Sequence, residues 1–214
     1  MSTLLDHEEA PVAYHHGNLR QVLLDAAAEA IEEEGLAALS LRALARKVGV
    51  SHGAPARHFP DKAALLTALA TEALERFRSA MRKTVDEGEP SALARYRTIG
   101  ICYVRFAIEN PAHFHIMTRP EFYSAGDEAF SRGYQELFDM MREAAAAAQQ
   151  ERWGAALDPR AFLITTWSIV HGLATLWLDG TLEDRIGQVD IEAIAAGAFD
   201  VLLAGSAGAA AGAG

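Results

Sequence analysis

The chain has 214 residues, half of them hydrophobic and 22% charged, with a formal net charge of -10 at pH 7. That length supports a sizeable core in one or two small domains, while a single cysteine, Cys102, excludes a disulfide framework within the chain. The acidic balance speaks against a general nucleic-acid coat protein, but not against a sequence-specific reader, for which a local patch of charge matters more than the sum.

The first residues, MSTLLDHEEAPVAYHHG, carry acids where a secretory signal needs a basic region, and no apolar core follows them. No uninterrupted apolar stretch approaches the ~18–20 residues that span a bilayer. The longest candidate, 161–178, is interrupted by Thr165, Thr166, Ser168 and His171 and suits a buried helix better. A cytoplasmic protein with no membrane partner is the expectation.

Nearly everything then reads as helix, because strand-like alternation is scarce and good helix formers abound. Residues 1–13 read as a mobile arm. A first helix runs from a cap at Asn18 to Glu34, with Leu19, Leu23, Ala26, Ala27, Ala30 and Ile31 at helical spacing and Gly35 at its stop. Ser40 caps a second helix with Leu41, Leu44, Ala45 and Val48 on one side, and Gly49 ends it. Ser51 is expected to cap a third helix ending near Phe59-Pro60. Asp61 then caps a long helix to about Val85, and residues 86–90, DEGEP, form a breaker.

Beyond the breaker the expected elements are a helix over about 91–108 and a short helix opening at Pro111. A loop over 119–126 and a long helix over about 127–153 follow. Next come a helix from Asp158-Pro159 to Leu178 and a last helix over about 190–203. The ending GSAGAAAGAG is low-complexity and reads as a disordered tail.

The segment from Gly35 to Pro60, GLAALSLRALARKVGVSHGAPARHFP, contains no Asp or Glu. Arg42, Arg46, Lys47 and Arg57 give it a formal charge of +4, with His52 and His58 as further donors. Two short helices joined by a tight turn are the geometry that lays one helix in the major groove and braces it with the other. Gly49 supplies the unusual backbone angle of the turn, and Val50 plugs the space between the helices. Ser51 offers a hydroxyl to the start of the third helix, an end that favours phosphate. Small Gly53 and Ala54 permit close approach to base edges, and Arg57 can bond guanine or a phosphate with two donors. Pro55 falls in a first turn, where its missing amide costs little. The competing view is an ordinary helical hairpin in a core.

The run from Val48 to Leu66, VGVSHGAPARHFPDKAALL, resembles the TetR/AcrR family of bacterial regulators. The resemblance rests on Leu41-Arg42-Ala43-Leu44-Ala45, Gly49-Val50-Ser51, His58-Phe59 and Lys62 with Leu65-Leu66, and covers about 18–73. Trp167-Ser168-Ile169-Val170-His171-Gly172, with Asp179-Gly180 downstream, resembles the W-H-G type of C-terminal domain in that family. It implies an all-α fold: a helix-turn-helix DNA-binding domain at 14–61 and a helical ligand-binding and dimerisation domain at 62–204, followed by the tail at 205–214. The implied protein is a homodimer that binds a double-stranded, pseudo-palindromic operator and is released by a small-molecule effector; the expectation includes no cofactor and no metal.

On that resemblance the candidate DNA contacts are Arg42, Ser51, His52, Gly53, Ala54, Arg57, His58 and Lys62, the last matching a phosphate-contacting lysine. The family pattern carries an aromatic, usually Tyr, where this chain has Ala56. That residue removes a phosphate contact and keeps alive the alternative of a protein-interaction module with a degenerate helix-turn-helix.

Candidate pocket residues are Cys102, Tyr103, Phe106, Phe114, Met117, Trp167 and His171, each weighed against plain core packing. Small residues allow helices to approach closely. Ala174, Ala195 and Ala198, with Val170, Leu178, Ile191, Ile194 and Leu202 as apolar contacts, are therefore the candidate dimer face, weighed against an intramolecular core. Tyr14-His15-His16-Gly17 suits a DNA-backbone contact better than a metal tract. His113 and His115, two apart on a helix, point to different sides. No Ser-His-Asp order, metal-ligand spacing or glycine-rich phosphate loop supports an enzyme.

Overall fold

The computed structural model describes residues 18–86, 91–151 and 158–211. The N-terminal arm, the Tyr14–Gly17 tract and most of the 86–90 breaker lie outside the described residues. So do all side chains from Leu202 onward, including that candidate dimer residue. Among the described residues there are helices and no strand, so the fold is all-α as expected.

The helices are α1 (Leu19–Glu34), α2 (Leu41–Lys47), α3 (Lys62–Asp86), α4 (Ala92–Glu109), α5 (Pro111–Met117), α6 (Glu128–Gln150), α7 (Pro159–Leu178), α8 (Thr181–Ile186) and α9 (Ile191–Ala211). Two single 3-10 turns, Pro55–Arg57 and Pro120–Phe122, complete the order. Local chemistry sets most of the starts. The side chains of Ser40, Ser91, Asp127 and Asp158 accept from backbone amides at the starts of α2, α4, α6 and α7, which satisfies donors that a helix otherwise leaves free.

Three departures from the expected elements matter. The third helix is a 3-10 turn rather than an α-helix, with bonds from Ala54 N to Ser51 O, Arg57 N to Ala54 O and His58 N to Pro55 O. Pro55 cannot donate, and Gly53 is a poor helix former, so the tighter i to i-3 pattern replaces the α pattern. Short α8 was not anticipated. The last helix runs to Ala211 instead of closing near Leu203.

A small head of α1, α2 and the Pro55–Arg57 turn packs Leu23, Leu24, Ala27, Leu44 and Phe59 against the first turns of α3, with Leu65 and Leu69. The body wraps α4 with α3, α6, α7 and α9. Arg78 of α3 pairs with Glu136 of α6. Arg97 holds Asp200 at 3.1 Å and Arg105 holds Glu192 at 2.6 Å, both across α4 and α9. Helix α7 is long and apolar enough to cross a membrane by length and composition, with a mean hydropathy of 1.5, and 28% of that window is buried. Its inner side holds Phe162, Thr166, Val170 and Ala174 in the core, and its outer side is open.

Candidate nucleic-acid interface and core cavity

The head presents its cations in one neighbourhood. Gly49 has φ +71°, the left-handed conformation that only glycine adopts without strain, and it turns the chain from α2 toward Ser51. Val50 N bonds Ala45 O at 2.9 Å and locks the turn. Arg42, Arg46, Ser51, His52, Gly53, Arg57 and His58 are exposed, and Ala54 is half-buried. Pro55 and Phe59 are buried and anchor the turn from beneath. Ala56 is exposed, so the absent aromatic would have pointed outward.

The cations differ in how free they are. Lys47 is held by Glu33 at 2.8 Å and Glu29 at 3.4 Å, both on α1, and this pairing raises its pKa. Among the described residues no carboxylate pairs with Arg42, Arg46 or Arg57. Lys62 is half-buried and donates to Leu36 O at 2.7 Å. An ammonium has three donors, so it ties the loop after α1 to the start of α3 and keeps others available. Sequence reasoning missed Arg20, whose guanidinium lies 5.3 Å from the Phe59 ring centroid. The contact depends on how α1 crosses the turn, which no local pattern reveals.

The candidate pocket residues fall in different places. Tyr103 and Trp167 line an inner cavity of about 20 Å³ whose other walls include Phe77, Tyr96, Met141 and Phe199. Phe114 and His171 line a second cavity of about 80 Å³ with His115, Arg119 and Asp179. Cys102 and Phe106 instead border an outer groove between α3 and α4, and burial pushes the Cys102 thiol up in pKa. Met117 is buried and borders neither cavity. Tyr103 reaches His171 Nδ1 at 2.8 Å, and Tyr96 reaches Thr166 Oγ1 at 2.6 Å. Burial holds the Tyr103 phenol well above its ordinary pKa and pushes that of Tyr96 up to about 12. Both hydroxyls therefore stay protonated at neutral pH.

The candidate dimer residues need correction. Val170, Ala174, Ile191 and Ala195 are buried inside the single chain, where the small side chains let α7 and α9 approach their own neighbours. Ile194, Ala198 and Leu178 are half-buried. The open side of α7 instead carries Ile164 (58% exposed), Ser168 and Leu176 (42% exposed), and α9 adds Val201 (73% exposed). Ile164 and Ser168 stand one turn apart on α7, while Leu176 lies about 120° further around the helix.

Comparison with known proteins agrees with this architecture. Residues 23–69 match the model of bacterial regulatory proteins of the tetR family. Residues 96–202 match the tetracyclin repressor-like C-terminal domain. A protein of unknown function from Rhodococcus sp. RHA1 superposes with a TM-score of 0.77 at 31% identity, covering 91% of this chain and 98% of that one. The TetR family transcriptional regulator PfmR from Thermus thermophilus shares the fold, with a TM-score of 0.65 at 22% identity over 85% of this chain and 96% of its own. The nucleoid occlusion factor SlmA of Vibrio cholerae is 35% identical over 102 residues, 47% of this chain and 52% of SlmA. The chain thus spans about half the length of the curated relatives it matches first. With both family models matched in order along an all-helical chain, the protein belongs to the TetR family of transcriptional regulators.

Proposed function

We propose that the protein is a ligand-responsive repressor that binds a pseudo-palindromic operator as a homodimer and leaves it when a small molecule enters the body. The observation that carries this reading is the continuity of α3. Lys62 stands at the start of that helix beside the basic turn, and Phe77 further along the same helix lines the inner cavity. One rigid element therefore joins the surface suited to phosphate with the place suited to an effector. Exposed Arg42, Arg46 and Arg57 supply the cations, and the start of the Ser51 turn supplies small residues for close approach. The exposed apolar side chains of Ile164 and Leu176 on α7, with Val201 on α9, are assigned to the contact with the second copy. This reading involves no catalysis and no cofactor.

A second reading stays in play on a specific observation. Ala56 stands exposed where the family pattern carries an aromatic, and the turn that holds it is 3-10. A module that binds another protein through a degenerate head fits those two facts. Selection of bound fragments from random-sequence DNA, with the purified protein at near-physiological salt, separates the two. An enriched inverted repeat supports the repressor. Folded, dimeric protein that enriches no sequence favours the interaction module.

A further inference from the structure

The two body cavities lie on opposite sides of one hydrogen bond. Tyr103 borders the inner cavity and His171 borders the outer one, and the Tyr103 hydroxyl meets His171 Nδ1 at 2.8 Å. Either the hydroxyl or the imidazole can donate in this bond, according to the His171 tautomer. Phe114 packs on both partners, with ring centroids 5.5 Å from Tyr103 and 5.8 Å from His171. The bonded pair joins a wall of one cavity to a wall of the other, and the two cavities share no lining residue.

Volumes decide what the cavities can hold. A space of about 150 Å³ lined by apolar side chains accepts a benzene-sized guest. The cavities of about 20 Å³ and about 80 Å³ are each too small and together still fall short of that size, so a guest enters only if the His171 ring swings aside and adds its own space. The lining chemistry narrows the guest further. No wall of the inner cavity carries a charge at neutral pH. In the outer cavity Arg119 and Asp179 oppose each other in sign and stand at its more exposed end. An ion in the inner cavity would find no counter-charge there. An apolar guest that parted the pair would leave a buried hydroxyl without a partner.

We propose that the Tyr103–His171 bond is a latch, and that the effector is a small uncharged ring compound bearing one hydroxyl or carbonyl that takes over this bond and joins the two cavities. The proposal rests on the reading of the body as an effector-binding domain. It adds the chemical class of the effector and the residues that admit it.

The test titrates the full chain with three single-ring probes, 4-methylphenol, toluene and benzoate. Calorimetry reads affinity, and the imidazole resonances of His171 report location. The phenol is expected to bind about ten-fold or more tighter than either of the others, since one lost buried hydrogen bond is worth about a decade. In the double variant Tyr103→Phe with His171→Leu both partners of the bond are gone, and the phenol and toluene are expected within about two-fold of each other. Benzoate binding as tightly as the phenol would overturn the proposal. So would the absence of binding by any probe at millimolar concentration, or a phenol preference that survives when both Tyr103 and His171 are replaced. The comparison in the parent protein stands even if the variant folds poorly. DNA selection fails or succeeds independently: phenol binding without any selected DNA sinks the repressor reading and leaves the latch, and selected DNA without phenol binding does the reverse.

Discussion

Gly100 of α4 lies directly beneath the ring of Phe199 on α9, so close that a Cβ at position 100 would stand 2.3 Å from two ring carbons. The contact sits between the Arg97–Asp200 and Arg105–Glu192 forks, which brace the same two antiparallel helices at their exposed edges. The forks are exposed and worth little each, so the close approach itself sets the spacing. Gly100→Ala is expected to force the Phe199 ring aside and cost about 1–3 kcal/mol. Urea unfolding of the single variant, and of the pair Gly100→Ala with Phe199→Leu, checks it; the second change should restore part of the loss.

Phosphate contacts announce themselves in the dependence of binding on salt. Arg57→Ala is expected to weaken operator binding and to flatten the slope of log K against log salt by about 1. Lys62→Ala should do more than that, because its bond to Leu36 O also fixes the loop behind the turn. Its thermal midpoint should fall as well. Lys47→Ala should leave the salt slope nearly unchanged, since Glu29 and Glu33 already occupy that ammonium. Binding isotherms at several salt concentrations distinguish the three.

Acid should loosen the body. His113 is buried at the junction of α1, α3 and α5, and its pKa is lowered, first by burial and then by Arg76, against the pull of Glu72 and Asp25. Burial also lowers His115 and His171. Each folded pKa lies below the ordinary value of 6.5, so the unfolded chain binds more protons as pH falls. Stability is fully present above pH ~6.5 and declines as pH drops through that value toward the folded pKa. Thermal midpoints recorded from about pH 8 to about pH 5 should decline over the lower half of that range, and less steeply in His113→Gln.

The exposed apolar side chains of α7 and the buried small residues call for opposite outcomes. Ile164→Asp with Leu176→Asp is expected to yield a folded monomer, because both side chains face outward. Ile191→Ala removes a buried side chain and is expected to cost about 2–5 kcal/mol without changing the association state. Sedimentation at several concentrations, alongside urea unfolding, checks both.

These contrasts show what the sequence could and could not disclose. Gly49 was legible because a tight turn needs a left-handed residue, and the caps at Ser40 and Asp61 were legible because their chemistry is local, whereas the side chain of Asn18 makes no cap bond. The Ser51 turn was misread because Gly53 and Pro55 are each tolerable at a helix start, while together they tip the backbone to the 3-10 pattern. The dimer candidates were chosen for smallness, yet a small residue serves a close approach within one chain as readily as between two. Ala174 and Ala195 went to the former. Cys102 and Tyr103 were both candidates for the pocket lining. Successive helix residues point about 100° apart, so one borders the outer groove and the other the cavity. Pairings such as Lys62 with Leu36 and Lys47 with Glu33 depend on where distant elements come to rest.

The length of α3 carries a mechanical consequence. Between Phe77 and Lys62 the helix covers about 22 Å at ~1.5 Å per residue. Were the helix to pivot by about 5° at the cavity, its far end would swing by about 2 Å, close to the width of one hydrogen bond. Half-sites on a duplex are spaced by a fixed helical turn, and two heads carried on such arms would fall out of step with it together. On the proposed reading of a homodimeric, ligand-responsive repressor, a guest no larger than a single ring is geared, through one stiff rod in each subunit, into the loss of an entire protein–DNA register.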